Sequence, residues 1–156
     1  MARATKPLLV GLVLWLASCA PSVDVRAERS RIATFPRYRT YAWTSGAVPA
    51  RSPADTDAAL ANWRIRDAID RALAAKGYVR EEGAVSLLLD CEVTTRGKET
   101  DLAFQLIDAR TREIAYRASA SGEMGEPTDR RRLEQTIDRM LADLPAVTGT
   151  GTGGRV

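Results

Sequence analysis

Chemistry in this sequence would have to come from carboxylates. The chain holds no histidine, which removes Ser-His and Cys-His nucleophile pairs and the usual imidazole metal ligands. It holds two cysteines, Cys19 and Cys91, too few for a thiolate zinc site. No Gly-rich phosphate loop follows a strand pattern, and the glycines between 149 and 154 are tail composition. Acidic pairs do occur: Glu81-Glu82, Glu99 with Asp101, and Glu123 with Glu126. Two carboxylates flanking a sugar linkage can hydrolyse it, so a carboxylate-dependent hydrolase of cell-wall sugars is one reading. All three pairs fall where the pattern predicts loops or turns, and charge there is ordinarily just solvated. The sequence therefore nominates no catalytic residue, no metal ligand and no cofactor.

The other reactive position is Cys19, and its setting is distinctive. Arg3 and Lys6 form a short positive segment, followed by the apolar run LLVGLVLWLA from Leu8 to Ala17. A membrane-spanning helix needs roughly 20 apolar residues, so this run is too short to span. It has the length of a signal-peptide core. It ends in Leu16-Ala17-Ser18-Cys19, which resembles the lipobox of bacterial lipoproteins. That resemblance implies cleavage between Ser18 and Cys19, a diacylglyceryl group on the Cys19 thiol and an acylated new N-terminus. Ala20, in place of Asp, implies delivery to the outer membrane by the same resemblance. Each buried methylene contributes about 0.8 kcal/mol, and several chains on one cysteine make an anchor effectively permanent.

With Cys19 lipidated, Cys91 has no partner in the chain. An exported compartment is oxidising, so a free thiol there must be hidden or paired between chains. In the alternation of Val85–Val93, Cys91 shares a face with Leu87, Leu89 and Val93. That placement predicts a small buried hydrophobe.

The elements around these residues follow from periodicity. Tyr38–Trp43 reads as a strand, with Tyr38, Thr40 and Ala42 on one face and Arg39, Tyr41 and Trp43 on the other. From about Asp57 to Lys76, an apolar stripe at Ala61, Ile65, Ala68, Ile69, Ala72 and Leu73 predicts a helix. Gly77 supplies its stop. Val85–Val93, Leu102–Ile107 and Ile114–Ser121 alternate as three further strands. A last helix from about Thr128 to Leu144 carries Leu133, Ile137, Met140, Leu141 and Leu144, and Pro145 closes it. The order β-α-β-β-β-α predicts an α+β two-layer sandwich, a four-stranded and largely antiparallel sheet with two helices on one face. The expected organisation is a signal peptide over 1–18, a lipidated cysteine and tether over 19–34, one domain over 35–145 and a disordered tail over 146–156.

Charge narrows the partners. The formal net charge is +3, and Arg3 and Lys6 leave with the signal segment, so the remaining chain is closer to neutral. Acidic residues are interspersed throughout, against the clustered positive charge that nucleic acid requires. The expected partners are a membrane, reached through the lipid anchor, and either another envelope protein or a small apolar ligand. The face opposite the helices is expected to carry Tyr41, Trp43 and Arg117 as its binding residues, with Ser119 beside them. The run Arg130-Arg131-Arg132 opens the last helix, where positive charge is mildly unfavourable. It reads as a solvated face or as a contact for anionic lipid headgroups.

Four segments together resemble a bacterial lipoprotein family catalogued as domain of unknown function 4136. They are FPRYRTYAW from Phe35, RIRDAIDRALAAKGY from Arg64, LIDARTREIAYRASASG from Leu106 and IDRMLADLP from Ile137. The family pattern carries Gly in the turn where Arg112 stands here, and Trp-Arg-Gly where this chain has Tyr116-Arg117-Ala118. The resemblance implies an envelope lipoprotein and supplies no catalytic residues, and the expected location is the outer membrane, facing the periplasm. A non-enzymatic accessory or binding role fits it. A hydrolase or a purely structural envelope protein are the alternatives.

Overall fold

The structure is a computed structural model and describes residues 23–44, 56–96, 99–123 and 130–148, with the side chains of 56–61 excluded. The expected signal peptide, Ser18 and Cys19 lie outside the described residues, as do Glu126 and the tail from 149 onward.

Strand β1 (Asp24–Arg29) leads to a 3-10 turn at Phe35–Arg37 and then to β2 (Thr40–Trp43). Helix α1 (Thr56–Ala75) is followed by a short β3 (Val79–Arg80). The long strands β4 (Leu87–Arg96), β5 (Glu99–Asp108) and β6 (Ile114–Gly122) come next, and α2 (Arg130–Met140) follows. The six strands form one sheet in the order β1-β6-β5-β4-β2-β3. The α+β class is as expected, with two helices and one sheet.

The sheet has six strands and not four. β1 lies inside the segment expected to be a tether, paired antiparallel with β6 from Asp24↔Ser121 to Arg29↔Tyr116. Its sequence, DVRAER, offers only Val25 and Ala27 to the core side, and both are half-buried. An edge strand of alternating charges satisfies its backbone on one neighbour and shows almost no apolar pattern, and the charges deter further pairing. β3 is two residues long, and it runs parallel to β2 across the α1 crossover. β2 also runs parallel to β4, whereas β4, β5 and β6 form an antiparallel meander.

A single core lies between the sheet and the helices. Ile65, Ala68, Ile69 and Leu73 come from α1, and Ile137 and Met140 from α2. The facing strands supply Leu87, Leu89, Cys91, Leu102, Phe104, Leu106, Tyr116, Ala118 and Ala120. Among the described residues, core and core-packed side chains run from Val23 to Val147, beyond the expected limits of 35 and 145.

Helix α1 stops as expected. Gly77 adopts φ +87°, the Tyr78 N–H donates to Leu73 O at 3.1 Å, and the Gly77 N–H donates to Ala74 O at 2.9 Å. This is a Schellman cap, and it needs a residue that tolerates the left-handed region. A Cβ at Gly77 would also stand 3.1 Å from the Val147 Cβ. Helix α2 ends at Met140, before Pro145. Its last stripe residues, Leu141 and Leu144, are still buried, in turns tightened to i→i+3 bonds at Ala142 and Leu144.

Candidate functional site

The sheet separates the residues expected to share a binding face. Tyr41 pairs with Leu87 and Trp43 with Leu89, so both point toward the helices, and Tyr41 is 1% exposed. Tyr41 Oη donates to Asp70 Oδ1 at 2.7 Å, and Trp43 Nε1 donates to the same oxygen at 2.9 Å. Arg80 holds the second Asp70 oxygen at 3.0 Å. The Arg66 guanidinium lies 4.5 Å from the centroid of Trp43, close enough for cation–π attraction. Burial, reinforced by the Asp70 hydrogen bond, raises the Tyr41 hydroxyl far above its ordinary value, so it stays a neutral donor. The expectation that Tyr41 and Trp43 lie on the face opposite the helices is therefore corrected. Alternation divides a strand into two faces without saying which one the helices cover. Tyr38 misled further, because it caps the 3-10 turn before the strand begins and is itself buried.

Arg117 does lie on the open face. It donates to Gln105 Oε1 at 3.3 Å, and Gln105 Nε2 donates to Asp90 Oδ2 at 3.2 Å. Thr44 Oγ1 reaches Asp90 Oδ1 at 3.0 Å. A polar chain therefore crosses β6, β5 and β4 to the end of β2. Beside it runs an apolar row in register, Ala42, Leu88, Ile107 and Ile114, with Ile114 38% exposed. This open face thus sets a hydrogen-bonded polar chain beside an apolar row.

Two of the acidic pairs meet at one end of the sheet, because Thr100 pairs with Gly122 and so sets Glu99 and Asp101 beside Glu123. Glu81 and Glu82 follow β3 at one sheet edge, Glu99 and Asp101 open β5, and Glu123 trails β6. Of these five residues, all but Asp101 are exposed. Cys91 faces the helices opposite Phe104 and is 4% exposed. Burial, with Asp90 adding to it, pushes its thiol up to about 12.

A second feature lies between the helices. Trp63, Arg64, Asp67, Arg71, Arg130 and Leu133 line a cleft of about 260 Å³. Arg71 bonds Asp67 at 3.1 Å and Glu134 at 3.0 Å, and Arg130 bonds Glu134 at 2.8 Å. The Arg130 guanidinium holds the Glu134 carboxyl below its ordinary value. Trp63 is 62% exposed at the rim. Sequence reasoning passed over it, although the signal was available. Trp63 sits two residues from both Ala61 and Ile65, off the apolar stripe, where a large aromatic has no core to fill.

The family model described as domain of unknown function (DUF4136) matches residues 23–146. The chain belongs to the DUF4136 family. No curated protein matches it. Among solved structures, a single-substitution variant of the PelC dodecamer from Paraburkholderia phytofirmans is 17% identical, with a TM-score of 0.58. That match covers 81% of this chain and 100% of that one. A second PelC dodecamer structure from the same organism gives 15% identity and a TM-score of 0.56 over the same shares. A DUF4136 family protein from Bacteroides thetaiotaomicron is 11% identical with a TM-score of 0.57, covering 81% of this chain and 97% of that one. At these identities the likeness is one of fold.

Proposed function

We propose that this DUF4136 protein is a lipid-anchored component of the bacterial cell envelope, a binding or accessory module and not an enzyme. The observation that carries the proposal is Leu16-Ala17-Ser18-Cys19 at the end of an apolar run too short to span a bilayer. Val23, four positions behind it, is already a core residue. Four residues span at most about 14 Å, so acylation of Cys19 would hold the domain against the membrane on a short leash. Ala20 supports the outer membrane as destination, with the domain on the periplasmic side. The exposure of Glu81, Glu82, Glu99 and Glu123 supports a role without carboxylate chemistry.

The test is Cys19→Ser expressed in a bacterial envelope. The expected product is soluble or uncleaved. A mature species that still fractionates with membranes would overturn the anchoring.

A second reading concerns assembly. PelC from Paraburkholderia phytofirmans is a dodecamer, and the apolar row Ala42, Leu88, Ile107 and Ile114 on the open face supports self-association here. Light scattering on the purified chain decides it. A monomer at all concentrations would set the reading aside.

A further inference from the structure

We infer that the tryptophan- and arginine-bearing end of the helical layer is a second membrane contact, one that takes anionic phospholipid headgroups beside the acyl anchor. The orientation rests on lipidation of Cys19, whereas the charge recognition does not.

Three observations meet at this end of the molecule. Trp63 is the most exposed aromatic among the described residues, set on the rim of a cleft lined by Arg64, Arg71 and Arg130. Tryptophan beside cationic side chains is the pairing that settles at a headgroup layer, ring in the interface and charge against phosphate. Arg131 is exposed on the next position of α2. Asp67 and Glu134 neutralise part of the cluster, through Arg71 and Arg130. A guanidinium has five N–H donors, so an arginine bound to one carboxylate oxygen retains donors for a phosphate. Arginines in the first turn of a helix oppose its dipole, and although the i,i+4 partner Glu134 offsets that for Arg130, Arg131 adds positive charge there that the dipole does not favour.

The anchor would leave this end within reach of the surface. β1 starts where β6 ends, at Asp24↔Ser121. Arg139 Nη1 donates to Val23 O at 3.4 Å, which ties the C-terminal end of α2 to the residue four positions after Cys19. Arg130 lies nine positions earlier on the same helix, about 14 Å along its axis. Four residues join Val23 to Cys19, a further reach of at most about 14 Å. An acylated Cys19 would keep the whole of α2 within a few tens of ångströms of the headgroups, a range that includes its first turn. Asp138 is exposed about two turns further along α2, and its negative charge restricts the contact to the first turn and the Trp63 rim.

The test uses the mature chain with Cys19→Ser, which has no acyl group and keeps every core residue between Val23 and Val147. It is sedimented with vesicles of phosphatidylcholine alone and of phosphatidylcholine mixed with phosphatidylglycerol. Binding is expected only to the mixed vesicles, and is expected to weaken as salt is raised. Arg131→Gln should weaken it about five-fold, and Arg130→Gln with Arg131→Gln on the order of twenty-five-fold, with unchanged circular dichroism. Trp63→Ala should also weaken it. Equal partition onto both vesicle types, no binding at low salt, or variants that bind like the parent would each overturn the inference. None of these results bears on Cys19, because the chain tested carries no lipid.

Discussion

The hydroxyl of Tyr41 donates to Asp70 Oδ1 across 2.7 Å, tying the second strand of the sheet to the helix that covers it. Trp43 shares that oxygen, and Arg80 holds the other. One carboxylate thus joins β2, α1 and β3, the parallel edge of the sheet. Removing it leaves the Tyr41 and Trp43 donors unmatched in a largely dry place, where each unsatisfied group costs about 1–3 kcal/mol. Asp70→Ala is expected to destabilise the fold by about 3 kcal/mol. Tyr41→Phe removes one bond and leaves Asp70 with two donors, so about 1 kcal/mol is expected. Urea unfolding of both variants checks the order. Equal costs would contradict a shared hub.

The β5–β6 hairpin carries strain at a known place. Arg112 has φ +64°, the only positive φ outside glycine among the described residues. Asp108 Oδ1 accepts the N–H groups of Arg110 and Thr111 at 2.8 and 2.9 Å, which fixes the turn and delivers Arg112 into the left-handed region. A non-glycine residue there costs roughly 1–2 kcal/mol. Glycine gives back about 0.5–1 kcal/mol through the freer unfolded chain. Arg112→Gly is therefore expected to raise stability by about 0.5–1 kcal/mol, read as a higher thermal midpoint. A lower midpoint would contradict the strain.

Asp108 also makes this hairpin sensitive to acid. The Thr111 N–H above all, with the Tyr38 hydroxyl at 2.9 Å and the Arg110 N–H, holds its carboxyl below the ordinary value against the opposing effect of burial. A group depressed in the folded state contributes stability above its unfolded value, and that contribution is lost as pH falls through the folded value. The stability gap between the parent and Asp108→Asn is expected to be full at neutral pH and to shrink below about pH 4. A gap independent of pH would show that the charged form carries no advantage.

Cys91 is expected to resist modification. Its thiol is buried against Phe104 and raised to about 12, so almost no thiolate exists at neutral pH. Iodoacetamide should label it only in denaturant, while Cys91→Ala folds and melts within a few degrees of the parent. Rapid labelling of the native protein would contradict the burial.

How much was legible from the sequence varies by element. Helix α1, expected over 57–76, runs from Thr56 to Ala75, because six apolar residues at helical spacing and Gly77 at its end leave little choice. The β4–β5–β6 meander followed its alternation in the same way. β1 was missed because its neighbour supplies the hydrogen bonds while its own residues show only charge and two small apolar side chains. The candidate face was half legible. Arg117 lies on the open side, and Tyr41 and Trp43 lie on the covered side. The partner that decides their place, Asp70, is 29 positions from Tyr41 and no local pattern announces the pairing. Trp63 was visible as an aromatic off the stripe. Its arginine surroundings required two helices to be packed together.

The central claim is a chemical one about a single residue and is read most directly by intact-mass analysis of the protein extracted from native membranes. The account predicts a chain beginning at Cys19, with a diacylglyceryl thioether on its sulfur and an acyl group on its amine. A chain that still carries Met1, or one with an unmodified thiol at position 19, would contradict it.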